Sequence, residues 1–270
     1  MSTHKSAFIK TFNQISHSHN RYTVFKDFVY MAAISLHNAI ARDQELEDEY
    51  LAIVAKYSKE DVHLFPKLLG ELTLGLQVGM GDFLGEVFMS LDFGEARLGQ
   101  FFTPFQVSKL LADLCVGDKK TALANKPFIT LSEPTCGAGG MIIAVAQSML
   151  EEGFNPAEHL WVEARDLDGL ASMMCFTQLA LLGIPAKVIT GNTLLMEENR
   201  VMYTPIHYLN NWSHKLNKYW KSEEVRNNIN EKVIEENIPS VEDNLITLED
   251  VSLEAFIPIE VEQGENFNLF

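Results

Sequence analysis

Hydrophobic side chains recur every three or four residues through the first third of the chain, which is the spacing of amphipathic helices. Four helices are predicted on this basis, at residues 6–16, 22–41, 45–57 and 64–80. Pro66 is expected in the first turn of the last helix, where proline is tolerated. We therefore predict an α-helical N-terminal region over residues 1–95.

From residue 96 the pattern changes to short β-branched runs that alternate with apolar helical stretches. Strands are predicted at residues 126–131, 159–166 and 186–192, with helices at 104–116, 141–153 and 168–184. A fourth strand and its loop are expected in residues 200–209. Strands that alternate with helices favour a parallel sheet with right-handed crossovers, so the predicted fold class is α/β.

The last fifty residues differ from the rest in charge. Residues 221–270 contain three basic and thirteen acidic side chains and few aromatic ones. A polar helix is predicted at 212–237, and the end of the chain is expected to be flexible. The predicted domains are thus the helical region 1–95, an α/β domain at 96–220 and an acidic tail at 221–270.

Composition indicates the class of protein and its cellular compartment. The chain has 270 residues, of which 47% are hydrophobic, so it is long enough to bury a core. No apolar run reaches the roughly 18 residues that a membrane span needs, and the N-terminus lacks a signal-peptide core. Three widely spaced cysteines and scattered histidines indicate neither disulfides nor a metal site. We expect a cytoplasmic protein without metal or membrane partners.

Two short motifs indicate the chemistry. The sequence ITLSEPTCGAGGM, residues 129–141, takes a predicted strand through three glycines into a helix. Such a turn brings bare backbone close to a ligand at the carboxyl end of a strand. The segment GQFFTP, residues 99–104, lies about thirty residues upstream. Upstream of GQFFTP, residues 82–88 contain Asp82, Leu84 and Gly85.

Together these motifs resemble those of the N6-adenine DNA methyltransferases of the type I restriction-modification class. That family combines a DxLGxxY-like segment, a GxFxTP segment and a (D/E)PxxGxGG loop, in this order. The resemblance covers residues 80–195, with Phe88 in place of the usual tyrosine. It implies a Rossmann-like domain with a truncated or minimal parallel sheet, which binds S-adenosylmethionine (SAM).

The resemblance also implies which residues bind SAM: Phe101, Phe102, Thr103, Pro104, Glu133, Pro134, Gly137, Gly139, Asp166 and Asn192. Glu133 would accept a hydrogen bond from the ammonium group of the cofactor. Gly137 and Gly139 would let the loop backbone approach it. The aromatic residues of GQFFTP would face its sulfonium, although Thr103 and Pro104 also suit a helix start.

Two further polar positions are assigned by the family pattern. Asp166, at the end of the second strand, is expected to bind the ribose hydroxyls, with Glu163 and Asp168 as alternatives. Asp168 also suits the N-terminus of the following helix. Asn192 is expected to accept from the adenine amino group, although Gly191-Asn192 equally suits a turn.

The chain departs from the family in the catalytic motif. The usual (N/D)PP(Y/F/W) sequence, whose polar residue and aromatic ring hold the flipped target base, is absent. The segment at the matching distance is YTPIHY, residues 203–208. The candidate catalytic residues are therefore Thr204 and Pro205 as acceptors, with His207 or Tyr208 stacking on the base. An ordinary loop is the alternative.

These features predict a SAM-dependent DNA adenine-N6 methyltransferase of plasmid, phage or restriction-system type. A SAM-binding pseudoenzyme with a regulatory or interaction role is the main alternative, and a small-molecule methyltransferase is a third. The net charge of −16 argues against tight DNA binding by this chain alone, because phosphate neutralisation supplies most non-specific affinity. A specificity subunit or another protein partner is therefore expected beside DNA.

Overall fold

The computed structural model describes residues 2–15, 19–93, 102–116, 119–124 and 126–237. Helices form most of the first half, and the bounds of its first eight are α1 (Ser2–Phe12), α2 (Arg21–Asn38), α3 (Gln44–Val54), α4 (Lys59–Val62), α5 (Phe65–Val78), α6 (Phe83–Ser90), α7 (Phe105–Val116) and α8 (Lys119–Leu123). The four predicted N-terminal helices match α1, α2, α3 and α5, and Pro66 lies in the first turn of α5.

An α/β arrangement follows. Its strands are β1 (Ile129–Glu133), β2 (Leu160–Asp166), β3 (Ala186–Thr190) and β4 (Arg200–Tyr203), and its helices are α9 (Gly140–Glu151), α10 (Pro156–His159), α11 (Gly169–Leu181), α12 (Pro205–Leu209) and α13 (Trp212–Asn237). The predicted α/β fold class, with a helical N-terminal region and a mostly parallel sheet, is confirmed. The predicted loop after the fourth strand is a short helix instead.

The four strands lie in the order β1-β2-β3-β4. The first three are parallel, with Glu133 beside Ala164 and Asp166 beside Thr190, so their carboxyl ends share one edge of the sheet. Strand β4 is antiparallel to β3, and its last residue, Tyr203, pairs with Lys187 near the start of β3. Whatever follows β4 therefore begins at the opposite edge.

The helical region and the sheet share one hydrophobic core. Alternate residues of β2, namely Leu160, Val162 and Ala164, are fully buried on one face. Helix α11 packs on β2 and β3 and also on α2, while α9 packs on α7. Phe25 and Phe28 of α2 belong to the same buried cluster as Phe176 of α11. This packing fixes the helical region against the sheet.

The opposite face of the sheet is covered by aromatic residues from the end of this unit. Trp161 of β2 alternates with the buried residues and stacks on Trp212, with ring centroids 5.7 Å apart. Trp212 is fully buried and also contacts Phe128. The start of α13 is therefore part of the core.

Residues Met1–Asn217 form one compact unit, and Lys218–Phe270 form a second, of which the structure describes α13 as far as Asn237. The boundary predicted at residues 95 and 96 falls inside the first unit and stays a prediction, as does the flexible tail. No helix in the part of the chain described here is both long and apolar enough to cross a membrane.

Candidate functional site

A cavity of about 210 Å³ lies where the carboxyl edge of the sheet meets the segment before α7. Residues from four parts of the chain line it: Asp82, Phe102, Thr103, Ser108, Thr135, Cys136, Gly137, Ala138, Gly140, Met141 and Asp166. Four of the ten predicted cofactor residues, Phe102, Thr103, Gly137 and Asp166, are thus brought together. Phe101 lies outside the described residues.

The glycine loop turns from β1 into α9 through two residues in the left-handed region. Gly137 has φ +52° and Gly139 has φ +94°, backbone conformations that residues with side chains rarely adopt. The N–H of Cys136 donates to the carbonyl of Arg165 (2.8 Å), and the N–H of Gly139 donates to that of Cys136 (2.8 Å). The first bond ties the loop to the end of β2, and the second closes the turn within the loop.

The two glycines lie against different parts of the protein. A Cβ atom at Gly137 would lie 3.1 Å from the ring of Phe102, so this glycine faces the cavity wall. A Cβ atom at Gly139 would instead lie 3.1 Å from Cys175 Sγ on α11. Gly139 therefore faces α11, and its expected approach to the cofactor stays a prediction. Gly139 permits close helix packing.

The GQFFTP segment reaches the loop through its second phenylalanine. The Phe102 ring contacts both Gly137 and the Phe88 ring, whose centroid is 5.2 Å away. Thr103 lines the same cavity. The Pro104 carbonyl accepts the N–H groups of Val107 and Ser108, which makes Pro104 part of the start of α7. The segment therefore forms part of the cavity wall and of the helix entry, and its contact with a cofactor stays a prediction.

Asp166 is the acid of β2 that faces the cavity. Its Oδ2 accepts the N–H of Gly137 (2.8 Å), and its Oδ1 accepts that of Asp168 (2.9 Å). Burial raises the pKa of Asp166. Asp168 instead caps α11 by accepting the N–H of Leu170 (2.6 Å), and Glu163 lies within 4.0 Å of Arg165. Of the three acids considered, Asp166 is the one in the cavity wall.

The other residues of the motif support the loop from outside the cavity lining. Glu133 Oε1 accepts the N–H of Thr135 (3.3 Å). The carbonyl of Pro134 accepts the hydroxyl of Thr193 (2.5 Å), which links the ends of β1 and β3. Asn192 Oδ1 accepts the N–H groups of Leu194 (2.9 Å) and Leu195 (3.2 Å). The oxygen predicted to meet an adenine amino group is thus used by a turn, and that interpretation needs correction.

The YTPIHY segment follows β4 and lies at the edge of the sheet opposite the cavity. Thr204 is fully buried, and its hydroxyl donates to the carbonyl of Ile184 (2.8 Å) while accepting the N–H of Ala186 (2.9 Å). Pro205 begins α12. His207 is buried, with Nε2 2.8 Å from Ser213 Oγ, and Tyr208 contacts its ring. The burial of Thr204 and His207 contradicts their expected contact with a target base, whereas the roles expected for Pro205 and Tyr208 stay predictions.

A substitution at Thr204 distinguishes a structural role from a catalytic one. Thr204→Val keeps the shape but removes two buried hydrogen bonds, so we expect the free energy of unfolding to fall by about 1–3 kcal/mol. SAM affinity of the folded protein should be unchanged. Denaturant unfolding and calorimetric titration measure these effects. Tyr208→Phe, at a side chain that is 41% exposed, is the control, with a change within about 0.5 kcal/mol. A loss of methyl transfer at unchanged stability would contradict this interpretation.

Sequence reasoning missed a buried polar group beside the cavity. Asp82 caps α6 through Oδ1, which accepts the N–H of Gly85 (2.8 Å) and also Nε2–H of Gln178 (2.9 Å). Gln178 further donates to the carbonyl of Ala138 in the glycine loop (2.7 Å). Burial raises the pKa of Asp82. Its place in a DxLG segment was the available signal, whereas nothing marked Gln178 in the middle of an apolar helix.

One family model matches this chain. The family model described as N-6 DNA Methylase matches residues 81–242, which include the cavity and the whole sheet. A search of curated proteins gives no match. Within the described residues, no group of three or more His, Cys, Asp or Glu side chains could hold a metal ion.

Two solved structures are similar over most of the chain at 13% identity. One is described as a class I S-adenosylmethionine-dependent methyltransferase from Listeria monocytogenes (TM-score 0.41, 72% of this chain and 55% of that one). The other is the type I restriction-modification system methyltransferase subunit from Streptococcus thermophilus (TM-score 0.38, 73% and 59%). This chain therefore spans between half and two thirds of their lengths.

Proposed function

We propose, because this chain belongs to the N-6 DNA methylase family, that it binds SAM and transfers the methyl group to the N6 amino group of adenine in DNA. SAM is the cofactor that family membership implies. The observation that carries the proposal is the meeting of Phe102 and Thr103 with Gly137 and Asp166 around one cavity. Two motifs separated in sequence converge there.

The charges of the cavity suit this cofactor. Among the described residues that line it, Asp82 and Asp166 are acids, and none is Lys, Arg or His. SAM is cationic at its ammonium and sulfonium groups, so an acidic wall complements it. The first N–H groups of α9, at Gly140 and Met141, have no partner within the helix and suit the carboxylate of the cofactor.

The proposed orientation places the ribose at Asp166. Each carboxylate oxygen of Asp166 accepts one backbone N–H and retains a second lone pair for a ribose hydroxyl. The Phe102 ring would then lie along the sulfonium, where an aromatic face attracts a cation. When bound, SAM supplies the electrophilic methyl group, and the protein contributes position and orientation.

We propose that a second protein helps this chain to hold the target DNA. Thr204 and His207 are buried in the core, so we assign no target contact to them. The chain is strongly acidic overall, which supports a second protein that holds DNA, such as a specificity subunit. DNA is thus proposed as the substrate of the assembled methyltransferase.

The test is methyl transfer from labelled SAM to unmethylated DNA, with the products separated as nucleosides. We expect label in N6-methyladenine, and Asp166→Asn should weaken SAM binding about tenfold or more by removing a charged acceptor. Glu163→Gln is the matched control, since that side chain is 43% exposed and outside the cavity lining. SAM binding without transfer would favour the pseudoenzyme, and no SAM binding would refute the proposal.

A further inference from the structure

The carboxylate of Asp82 is buried at the cavity without a counter-charge. Asp82 is only 4% exposed, and its two hydrogen bonds from Gly85 and Gln178 both go to Oδ1. Oδ2 accepts no hydrogen bond from the residues that the structure describes, and no ion pair with Asp82 occurs among them. The nearby charge that acts on it is Glu86, which is also negative. A buried, unpaired carboxylate is unfavourable unless a cation meets it.

Glycines leave room around this carboxylate. A Cβ atom at Gly85 would overlap Asp82 Oδ2, so only glycine fits at that position of α6. A Cβ atom at Gly140, the first residue of α9, would lie 3.4 Å from the same oxygen. Gln178 holds Oδ1 and the carbonyl of Ala138 together, which fixes Asp82 against the glycine loop. Helix capping therefore explains Oδ1 but leaves Oδ2 unexplained.

Ser108 supplies a second unpaired polar atom at the same cavity. Its side chain is fully buried, and Ser108 Oγ has no hydrogen-bond partner among the residues that the structure describes. A serine inside a helix can usually donate to the carbonyl four residues before it, but Ser108 does not do so. A buried hydroxyl without a partner is unfavourable, and a ligand that forms a hydrogen bond with it removes this cost.

We propose that Asp82 binds the ammonium group, and Ser108 the carboxylate, at the amino-acid end of SAM. This inference rests on the proposed function and assigns one end of the same cavity. Asp166 bonds to Gly137 at the start of the loop, whereas Asp82 lies beside Gly140 at its end. A ligand with its ribose at Asp166 therefore extends its amino-acid end toward Asp82.

The assignment replaces Glu133 as the ammonium partner. Glu133 is outside the cavity lining, and its Oε1 already accepts the N–H of Thr135. The two acids can be compared with isosteric substitutions. Asp82→Asn keeps an oxygen for Gly85 and Gln178 but loses the negative charge. Glu133→Gln makes the same chemical change at the rival position.

The experiment measures the affinities of three ligands by calorimetry. S-adenosylhomocysteine has both the ammonium and the carboxylate, its decarboxylated analogue has only the ammonium, and methylthioadenosine has neither. Asp82→Asn should weaken the first two by about 10- to 100-fold and leave methylthioadenosine unchanged. Ser108→Ala should weaken only S-adenosylhomocysteine, by about three- to tenfold. Glu133→Gln should change none of them.

Thermal unfolding of the ligand-free variants excludes a merely structural role. Asp82→Asn should be at least as stable as the parent, because it removes an unpaired buried charge. Equal losses for all three ligands, or unchanged affinity for S-adenosylhomocysteine, would overturn the inference while leaving SAM binding intact. A loss confined to Glu133→Gln would also overturn it. Failure of the parent to bind any of the ligands would refute the proposed function itself.

Discussion

Gly139→Val is expected to abolish SAM binding, because the loop that forms the cavity could no longer pack against α11. Gly139 has φ +94°, which costs a branched residue about 1–3 kcal/mol. The new Cβ would also lie 3.1 Å from Cys175 Sγ and 3.4 Å from Cys175 Cα, and overpacking costs about 1–3 kcal/mol more. Denaturant unfolding and SAM titration measure the two effects.

The chain offers a matched control for the backbone contribution. Gly153 has a similar φ of +85°, but nothing lies within 4 Å of a Cβ atom there. Gly153→Val should therefore show only the conformational cost and keep its SAM affinity. If Gly139→Val is as stable as Gly153→Val and binds SAM normally, Gly139 does not serve helix packing as we describe.

Trp212→Ala is expected to give the largest loss of stability, about 3–5 kcal/mol. Trp212 is fully buried, stacks on Trp161, contacts Phe128 and donates from Nε1 to the carbonyl of Ala157 (3.1 Å). It lies beside the segment first considered for catalysis, yet on the face of the sheet away from α9 and α11. SAM affinity of the folded fraction should therefore be unchanged.

Leu209→Ala is the control for this region, since Leu209 is 70% exposed and should change stability by no more than about 0.5 kcal/mol. Unfolding curves followed by tryptophan fluorescence and circular dichroism give the comparison. If Trp212→Ala retains full stability but loses methyl transfer, the segment after β4 takes part in the reaction and our correction fails.

The alternation of strands and helices after residue 96 could be predicted from sequence, because strands and helices have different hydrophobic patterns. Strand β2 begins with a short apolar run, the apolar residues of α9 and α11 extend over helical lengths, and the order of strands and helices follows. The direction of β4 could not be predicted. Four residues provide too little pattern to distinguish a parallel from an antiparallel partner, yet this direction decides which edge Thr204 occupies.

Site residues could be predicted where a motif requires a particular backbone conformation. They could not be predicted where their role depends on how deeply the fold buries them. Gly137 and Asp166 follow from the loop and the strand end, and both line the cavity. Thr204 looked like an acceptor because a hydroxyl can accept, but its burial and two hydrogen bonds depend on distant β3 contacts. Asp82 was visible in a motif, while its unpaired oxygen appears only once α6, α9 and α11 are packed together.

We expect SAM to bind in the cavity between Phe102, the glycine loop and Asp166. The most direct test is a crystal structure of the chain with S-adenosylhomocysteine. We expect the ribose hydroxyls within about 2.6–3.2 Å of Asp166 and the ammonium group at the same distance from Asp82 Oδ2. Density for the ligand elsewhere, for example in the groove lined by Tyr22, Lys26 and Tyr30, with this cavity empty at saturating ligand, would contradict the claim.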